Sequence, residues 1–561
     1  MQGNGKGAER VLSHKDWFEP HLTKLKAALA ARPKPAIPSL RLSVFGFSRG
    51  ATEAAAFCHF FNDLLDGGKF VGIEADICFL GLFDVVATVG NSASMALTIN
   101  LPDAIFDGHC DWAGRILDPL PACVKAGKHF IAMHELRMNF PVTVMQGNIE
   151  EVCFPGVHSD LGGGYAPGEQ GKGRAAQAAL LSQIPLAHMY KAARLAGVPL
   201  VPFSELEARD KADFEIDANL ASAWDAYTAA LKGISDDQKK MGDDKFASTN
   251  AAQCATGFAP GDDSAFLKPH MELYYRWRAA RRDSLEETTN FKAASAQNQQ
   301  DLREANRMLV TGDIEALNER SRTSVVYSNR TSSSSSYYWD WQRTNWWHAH
   351  RAKLNLELDD WERWALKFFT APKPLPPEVM RFFDDYVHDS FAGFYMAGEV
   401  TEYDKRVKVA AVKAKRPEQR NAFEKRVYEV TTKTEAAQQK KKEGKEPLNS
   451  EEEALVAEAG SGGTPYPVIT DKDTADTRNA LIRTQTETRR EGGGYVIRRG
   501  YFPHSGFFGR KFIREEELSR EFAPCVPEQQ TGKRLAVAWS NNLRQSISDA
   551  RFAEARRVAT A

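Results

Sequence analysis

The chain has 561 residues, with 73 lysines and arginines against 74 aspartates and glutamates, a formal net charge of −1, and 42% hydrophobic residues. Its length exceeds what one hydrophobic core usually serves and predicts two or more structural units, while the even charge balance argues against wholesale nucleic-acid binding. Seven cysteines, Cys58, Cys78, Cys110, Cys123, Cys153, Cys254 and Cys525, are scattered without a C-x-x-C pair, which argues against a disulfide framework or zinc cluster and fits synthesis in a reducing cytoplasm.

The first residues lack the apolar core of a signal peptide, and no stretch offers enough uninterrupted apolar residues for a membrane span. Action outside the cytoplasm would therefore need a route other than Sec. Residues 9–31 place Val11, Leu12, Trp17, Phe18, Leu22, Leu25 and Leu29 at helical spacing, and Pro33, Pro35 and Pro38 end the predicted helix. A β-favouring run with Leu42, Val44 and Phe45 then meets Gly46-Phe47-Ser48-Arg49-Gly50 and passes into an alanine-rich stretch over 51–57. A G-x-S-x-G pentapeptide between strand and helix is the setting of a nucleophile elbow, whose two glycines let strand and helix approach without Cβ clashes.

Asp66-Gly67-Gly68 closes that helix, and the apolar run over 77–84 predicts a strand buried on both faces that ends on Asp84. Residues 128–141 read as partly helical and bring His134, Glu135 and Arg137 together. A short strand over 149–154 runs into the segment 155–165, which is too glycine-rich to predict regular structure. An alanine- and leucine-rich helix over 175–196 follows and packs back on the sheet. Strand and helix signals thus alternate to about residue 200, which predicts an α/β catalytic region over 1–200 with a parallel sheet. A helical, aromatic-rich accessory region over 201–400 and a charged, helical and mixed region over 401–561 complete the expected organisation.

Within the accessory region, residues 320–336 predict a mobile serine-rich loop leading into the aromatic cluster from Tyr337 to Trp347. Those rings suit either the headgroup layer of a bilayer or the core of a subdomain. Residues 271–282, with Tyr274, Tyr275, Trp277 and four arginines, pose the same choice between anionic lipid and a neighbouring domain. The stretch 410–460 predicts a solvated, charge-rich surface, and there is no internal repeat.

A serine hydroxyl needs a base to take its proton and a third group to orient that base. Asp84 and His158 each follow a predicted strand, and the order Ser48, Asp84, His158 is that expected of an α/β-hydrolase. Asp103 competes with Asp84, and His158-Ser159-Asp160 offers imidazole and carboxylate ligands but no third ligand at a recognisable spacing, so Asp160 is expected to cap its loop through backbone hydrogen bonds. The chemistry requires no metal and no cofactor.

Gly46-Phe47-Ser48-Arg49-Gly50, Gly81-Leu82-Phe83-Asp84-Val85-Val86 and Phe154-Pro155-Gly156-Val157-His158-Ser159-Asp160-Leu161-Gly162-Gly163-Gly164-Tyr165 resemble three signatures of the DUF2235 lipase effectors of bacterial type VI secretion systems. Residues 184–190 and 387–394 also resemble segments of that family. The resemblance implies an α/β-hydrolase-like fold and phospholipase A activity on the membrane glycerophospholipids of a target cell. It further implies delivery by a type VI system into that cell's periplasm, with an immunity protein and a secretion spike protein as partners. By position it makes Ser48 the nucleophile, Asp84 the acid and His158 the base, with Arg49 supplying one oxyanion N–H. The strands that normally precede the elbow, and the family's aspartate-glycine-threonine block, have no counterpart ahead of Ser48. The sequence therefore reads as truncated, predicting a sheet open on the elbow side and leaving the second oxyanion donor unassigned. Two other functions fit the same residues: a carboxylesterase for small soluble esters, and an inactive module that docks to spike or immunity proteins.

Overall fold

A computed structural model describes residues 14–31, 37–86, 119–137, 140, 142–143, 145, 147–241, 264–309, 360–394, 400–473 and 500–501. The residues of the expected 320–336 loop, the aromatic cluster from Tyr337 to Trp347, and Asp103 lie outside that set.

The chain begins with α1 (His14–Ala31), which buries Leu22 and exposes Trp17 and Phe18. Strand β1 (Ser39–Phe47) leads through Ser48 into α2 (Arg49–Leu64), and β2 (Lys69–Phe70) and β3 (Ile73–Phe83) follow. Next come β4 (Gly127–Ala132), β5 (Val142–Thr143) and β6 (Glu150–Phe154). The main sheet has the order β1-β3-β4-β6, all parallel, with β2 antiparallel on β3. This is the α/β architecture with a parallel sheet that the alternating sequence pattern predicts.

The two faces of β3 illustrate how the sheet is covered. Register slips between Leu42 and Ser43, so that Ser43 pairs with Phe79 and Cys78 is left over as a bulge. Ile77, Leu80 and Leu82 consequently face α2 with Ala51, Ala55 and Cys58, while Cys78 and Phe79 face the opposite layer. The Cys78 thiol donates to the Leu42 carbonyl at 3.1 Å across the bulge.

Three expectations need correction. Gly127–Ala132 is a strand and not part of a helix, because Phe130, Ile131 and Ala132 are buried between two layers and β4 is paired on both edges, by β3 and β6. The glycine-rich loop contains one turn of helix, α3 (His158–Gly162), capped by Asp160, whose Oδ2 accepts the Val157 N–H at 3.0 Å, and ended by Gly163 at φ 80°. The helix expected over 175–196 is α4 (Gln183–Leu195), preceded by a 3₁₀ turn at Gln177–Ala179.

The helices that follow are α5 (Ala208–Ala212), α6 (Ala218–Met241), α7 (Ser264–Arg281), α8 (Thr289–Ala293), α9 (Ala296–Met308), α10 (Asp360–Thr370) and α11 (Pro377–Asp385). Trp224 and Tyr227 of α6, Tyr275 of α7, and Phe382 and Phe383 of α11 join Phe154 and Phe130 of the sheet in one continuous core. The basic aromatic segment 271–282 is thus a core helix. Met271, Tyr274, Tyr275, Trp277 and Arg278 are buried, and Trp277 and Arg281 both donate to Asp384 at 2.9 Å. Its lipid-facing reading is overturned.

Residues 410–460 belong to α12 (Glu402–Ala414), α13 (Ala422–Glu443) and α14 (Ser450–Gly460). Their outer faces carry the predicted charges, but Val412, Phe423 and Val427 form a small core with Ile469. Gln297 ties this unit to α9 by donating to the Ile469 carbonyl and accepting its N–H, at 2.9 and 2.8 Å. Strand β7 (Gly500–Tyr501) pairs in parallel with β5. Among the described residues β1 is the outermost strand of the main sheet, none of its nine residues is fully buried, and Phe45 is 44% exposed. No helix among the described residues is long and apolar enough to cross a membrane.

Candidate active site

Register brings the candidate residues to one edge. Phe47 pairs with Phe83 and Phe83 with Phe130, so β1 and β3 end side by side and release Ser48 and Asp84 next to each other. Phe154 pairs with Ala132, and four residues later the β6 chain reaches His158.

Ser48 sits at φ 59°, ψ −124°, a region that costs a non-glycine residue roughly 1–3 kcal/mol. The surrounding bonds hold it there. Its N–H donates to the Phe83 carbonyl at 3.0 Å, and its own carbonyl accepts from Ala51 and Thr52 at 3.1 and 3.2 Å. A Cβ on Gly46 would fall 2.3 Å from the Gly50 carbonyl oxygen and 2.6 Å from the Ala51 Cα, so strand and helix meet there only because the residue is glycine. Gly50 differs from expectation, since a Cβ on it would meet nothing within 4 Å. The close approach is made by its backbone and not by its missing side chain. Arg49 opens α2 directly after Ser48, so its N–H is one of the first-turn donors that no intrahelical carbonyl accepts.

Asp84 follows β3 at φ 42° and is completely buried. Its N–H donates to the Phe130 carbonyl at 2.7 Å, and its Oδ1 accepts the Ala132 N–H at 3.0 Å. Its Oδ2 lies 2.6 Å from Nδ1 of His158. With Nδ1 committed to this carboxylate, Nε2 is the ring atom left for a nucleophile. Phe47, the residue before Ser48, has its ring centroid 4.6 Å from that of His158, and Phe140 lies 4.9 Å away on the imidazole. A Cβ on Gly162 would enter the Phe47 ring at 2.2 Å, which gives one physical reason for glycine after His158.

Asp160 caps its turn as expected, and also does something the sequence did not reveal. Its Oδ1 lies 2.6 Å from Nδ1 of His388, and its Oδ2 also accepts the His388 N–H at 3.1 Å. Among the described residues no group of three or more His, Cys, Asp or Glu side chains gathers as a metal site. His129, on β4, accepts the Val85 N–H at Nε2 (3.1 Å) and shares Nδ1 with Glu151 (3.1 Å), thereby bracing the residue after Asp84. His134 accepts the Gly156 N–H at Nδ1 (3.0 Å); complete burial, and then the neighbouring His270, hold its pKa well below the usual histidine range. Glu135 accepts the His158 N–H at 3.3 Å and the Ser390 hydroxyl at 3.1 Å. The sequence alone assigns Glu135, His388 and Ser390 no role at the site, although 387–394 resembles a segment of the same family.

A strained serine at a strand-to-helix turn and a buried histidine-aspartate pair thus lie on the carboxyl edge of one parallel sheet. Residues 66–192 match the family described as the type VI secretion system phospholipase effector Tle1-like catalytic domain. The matched segment contains two of the three signatures, those around Asp84 and His158, and begins after the Ser48 pentapeptide. None of the curated proteins matches. Among solved structures, an uncharacterized protein from Pseudomonas aeruginosa is 24% identical with a TM-score of 0.41, over 67% of this chain and 59% of that one. A structure of the Tle1 effector bound to the VgrG spike is 30% identical with a TM-score of 0.19, over 27% of this chain and 30% of that one. The chain thus spans 59% and 30% of the two structures' lengths.

Proposed function

We propose that this protein is a serine esterase of the phospholipase A type, hydrolysing ester bonds of membrane glycerophospholipids. The reading rests above all on the 2.6 Å bond between Asp84 and His158 beside the strained Ser48 turn, and the Tle1-like match of residues 66–192 supports the lipid substrate. In this reading His158 Nε2 takes the Ser48 proton as Oγ attacks the ester carbonyl, while Asp84 holds the Nδ1–H and stabilises the imidazolium. The Arg49 N–H donates to the oxyanion of the tetrahedral intermediate. The imidazolium then protonates the departing lysophospholipid oxygen, leaving an acyl group on Ser48, and the same imidazole activates the water that releases it as fatty acid.

The family match also supports delivery by a type VI system into a target cell's periplasm, with spike and immunity proteins as partners. Fatty-acid release from phosphatidylethanolamine–phosphatidylglycerol vesicles tests the enzymatic core. Release by the wild type and none by Ser48→Ala is expected. Equal rates on a soluble monomeric ester and on its aggregates would instead favour a carboxylesterase. No release of either kind by the folded wild type would overturn the hydrolase reading.

A further inference from the structure

Two buried carboxylates stand between the turn that carries His158 and a tripeptide far along the chain. Asp160 accepts the Val157 N–H on one side, and the His388 N–H and Nδ1 on the other, at 3.0, 3.1 and 2.6 Å. Glu135 accepts the His158 N–H on one side and the Ser390 hydroxyl on the other, at 3.3 and 3.1 Å, with Arg137 bidentate on it at 3.0 and 3.0 Å. Asp160, Glu135, His388 and Ser390 are all at most 6% exposed.

The tripeptide is itself held from the catalytic side. Tyr165 stacks on the His388 ring with centroids 3.8 Å apart and planes 8° apart. Gln170 donates to the Asp389 carbonyl and accepts its N–H at 2.9 and 2.8 Å, and the Asp389 carboxylate pairs with Arg278 at 3.0 Å. Lys172 donates to the Phe383 and Asp384 carbonyls at 2.7 and 2.8 Å, anchoring the end of α11 that leads into the tripeptide.

We propose that His388 and Ser390 are positioning residues for His158, acting through Asp160 and Glu135. This inference rests on the hydrolase reading above. Helix α3 is a single turn, too short to fix its own orientation. The direction of the imidazole is set by the backbone at 157 and 158, and each of those N–H groups ends on a carboxylate that also contacts 388–390, Asp160 at His388 and Glu135 at Ser390, the latter held by Arg137 as well. Truncating His388 removes the ring N–H from Asp160 Oδ1, so the buried carboxylate, still held at Oδ2 by the Val157 and His388 backbone N–H groups, reorients. The Val157 and His158 backbone then shifts with it, and a misplacement of about 1 Å at a reacting group can cost about 100-fold in rate. The loss belongs in kcat, because no substrate contact is removed.

The test uses the full chain, p-nitrophenyl butyrate as a soluble ester, and a fluorophosphonate probe, with the thermal midpoint of each variant recorded. His388→Ala is expected to lower kcat about 30- to 100-fold with KM within about twofold, and Ser390→Ala to lower it about three- to tenfold. His388→Asn, which returns a side-chain N–H near the Nδ1 position, is expected to recover kcat to within about fivefold of wild type. Folded His388→Ala and Ser390→Ala proteins with wild-type kcat and labelling rate would overturn the positioning role. So would His388→Asn no better than His388→Ala, which would trace the loss to packing. If His388→Ala does not fold, Ser390→Ala decides the matter by the same criterion. A folded wild type that neither turns over ester nor takes the probe removes the parent hydrolase reading, a result distinct from a labelled wild type with equally labelled variants.

Discussion

Ser48, Asp84 and His158 each follow a predicted strand in a recognisable order, and the structure brings those strand ends to one edge of the sheet. Strand ends are local, and the side chain that follows one projects from the sheet edge whatever the distant chain does. His388 and Ser390 offered no such signal, because their partners Asp160 and Glu135 lie 228 and 255 residues away. Gly50 shows the limit of pattern reading, since it shares a pentapeptide with Gly46 and only Gly46 is sterically required. Gly46→Ala is therefore expected to destabilise by about 2–3 kcal/mol through overpacking against the Gly50 and Ala51 backbone, measured as a lower denaturant midpoint. Gly50→Ala is expected to stay within about 0.5 kcal/mol of wild type, as for substitutions with no contact to break. Asp84→Asn should reduce kcat by roughly 10³- to 10⁴-fold, because an amide in its place stabilises neither the correct imidazole tautomer nor the imidazolium. Ester turnover beside an unchanged circular dichroism spectrum checks this outcome.

The elements reveal where local patterns misled. His134, Glu135 and Arg137 fall at spacings that suit a helix, yet the preceding Phe130-Ile131-Ala132 run is claimed by the sheet, where both edges of β4 are paired. The same segment delivers His134 into a buried aromatic layer with Tyr274, Phe383, Tyr227 and His270. There the Tyr227 hydroxyl lies 2.7 Å from His270 Nδ1, and burial pushes the His270 pKa down from 6.5 to about 3. An unfolded chain binds that proton first as pH falls. The stability this neutral ring contributes is hence complete above pH 6.5 and is lost progressively toward pH 3, at no more than about 1.4 kcal/mol per pH unit. Thermal midpoints between pH 7 and pH 4 should fall less steeply for His270→Gln than for wild type. Parallel curves would show that His270 does not carry the effect.

At the scale of the molecule, the α/β region was legible to about residue 200 because its alternation of strand and helix signals has short periods. The helical remainder was legible as helical but not as core. Trp224 and Tyr227, Tyr275, and Phe382 lie on three different helices, and only their joining one buried cluster with Phe130 of β4 and Phe154 of β6 makes those helices part of the core. The unit formed by α12–α14 is attached differently, through the paired bonds of Gln297 and Ile469. Gln297→Ala should raise amide exchange in 402–473 by an opening free energy lowered by about 1–2 kcal/mol, leaving ester turnover unchanged. Unchanged exchange would locate the attachment elsewhere. For the whole protein the decisive observation is whether Ser48 is an activated nucleophile. A fluorophosphonate probe followed by peptide mass mapping should label the folded wild type at Ser48 alone and leave Ser48→Ala unlabelled; a folded wild type that stays unlabelled, or labels equally in Ser48→Ala, would contradict it.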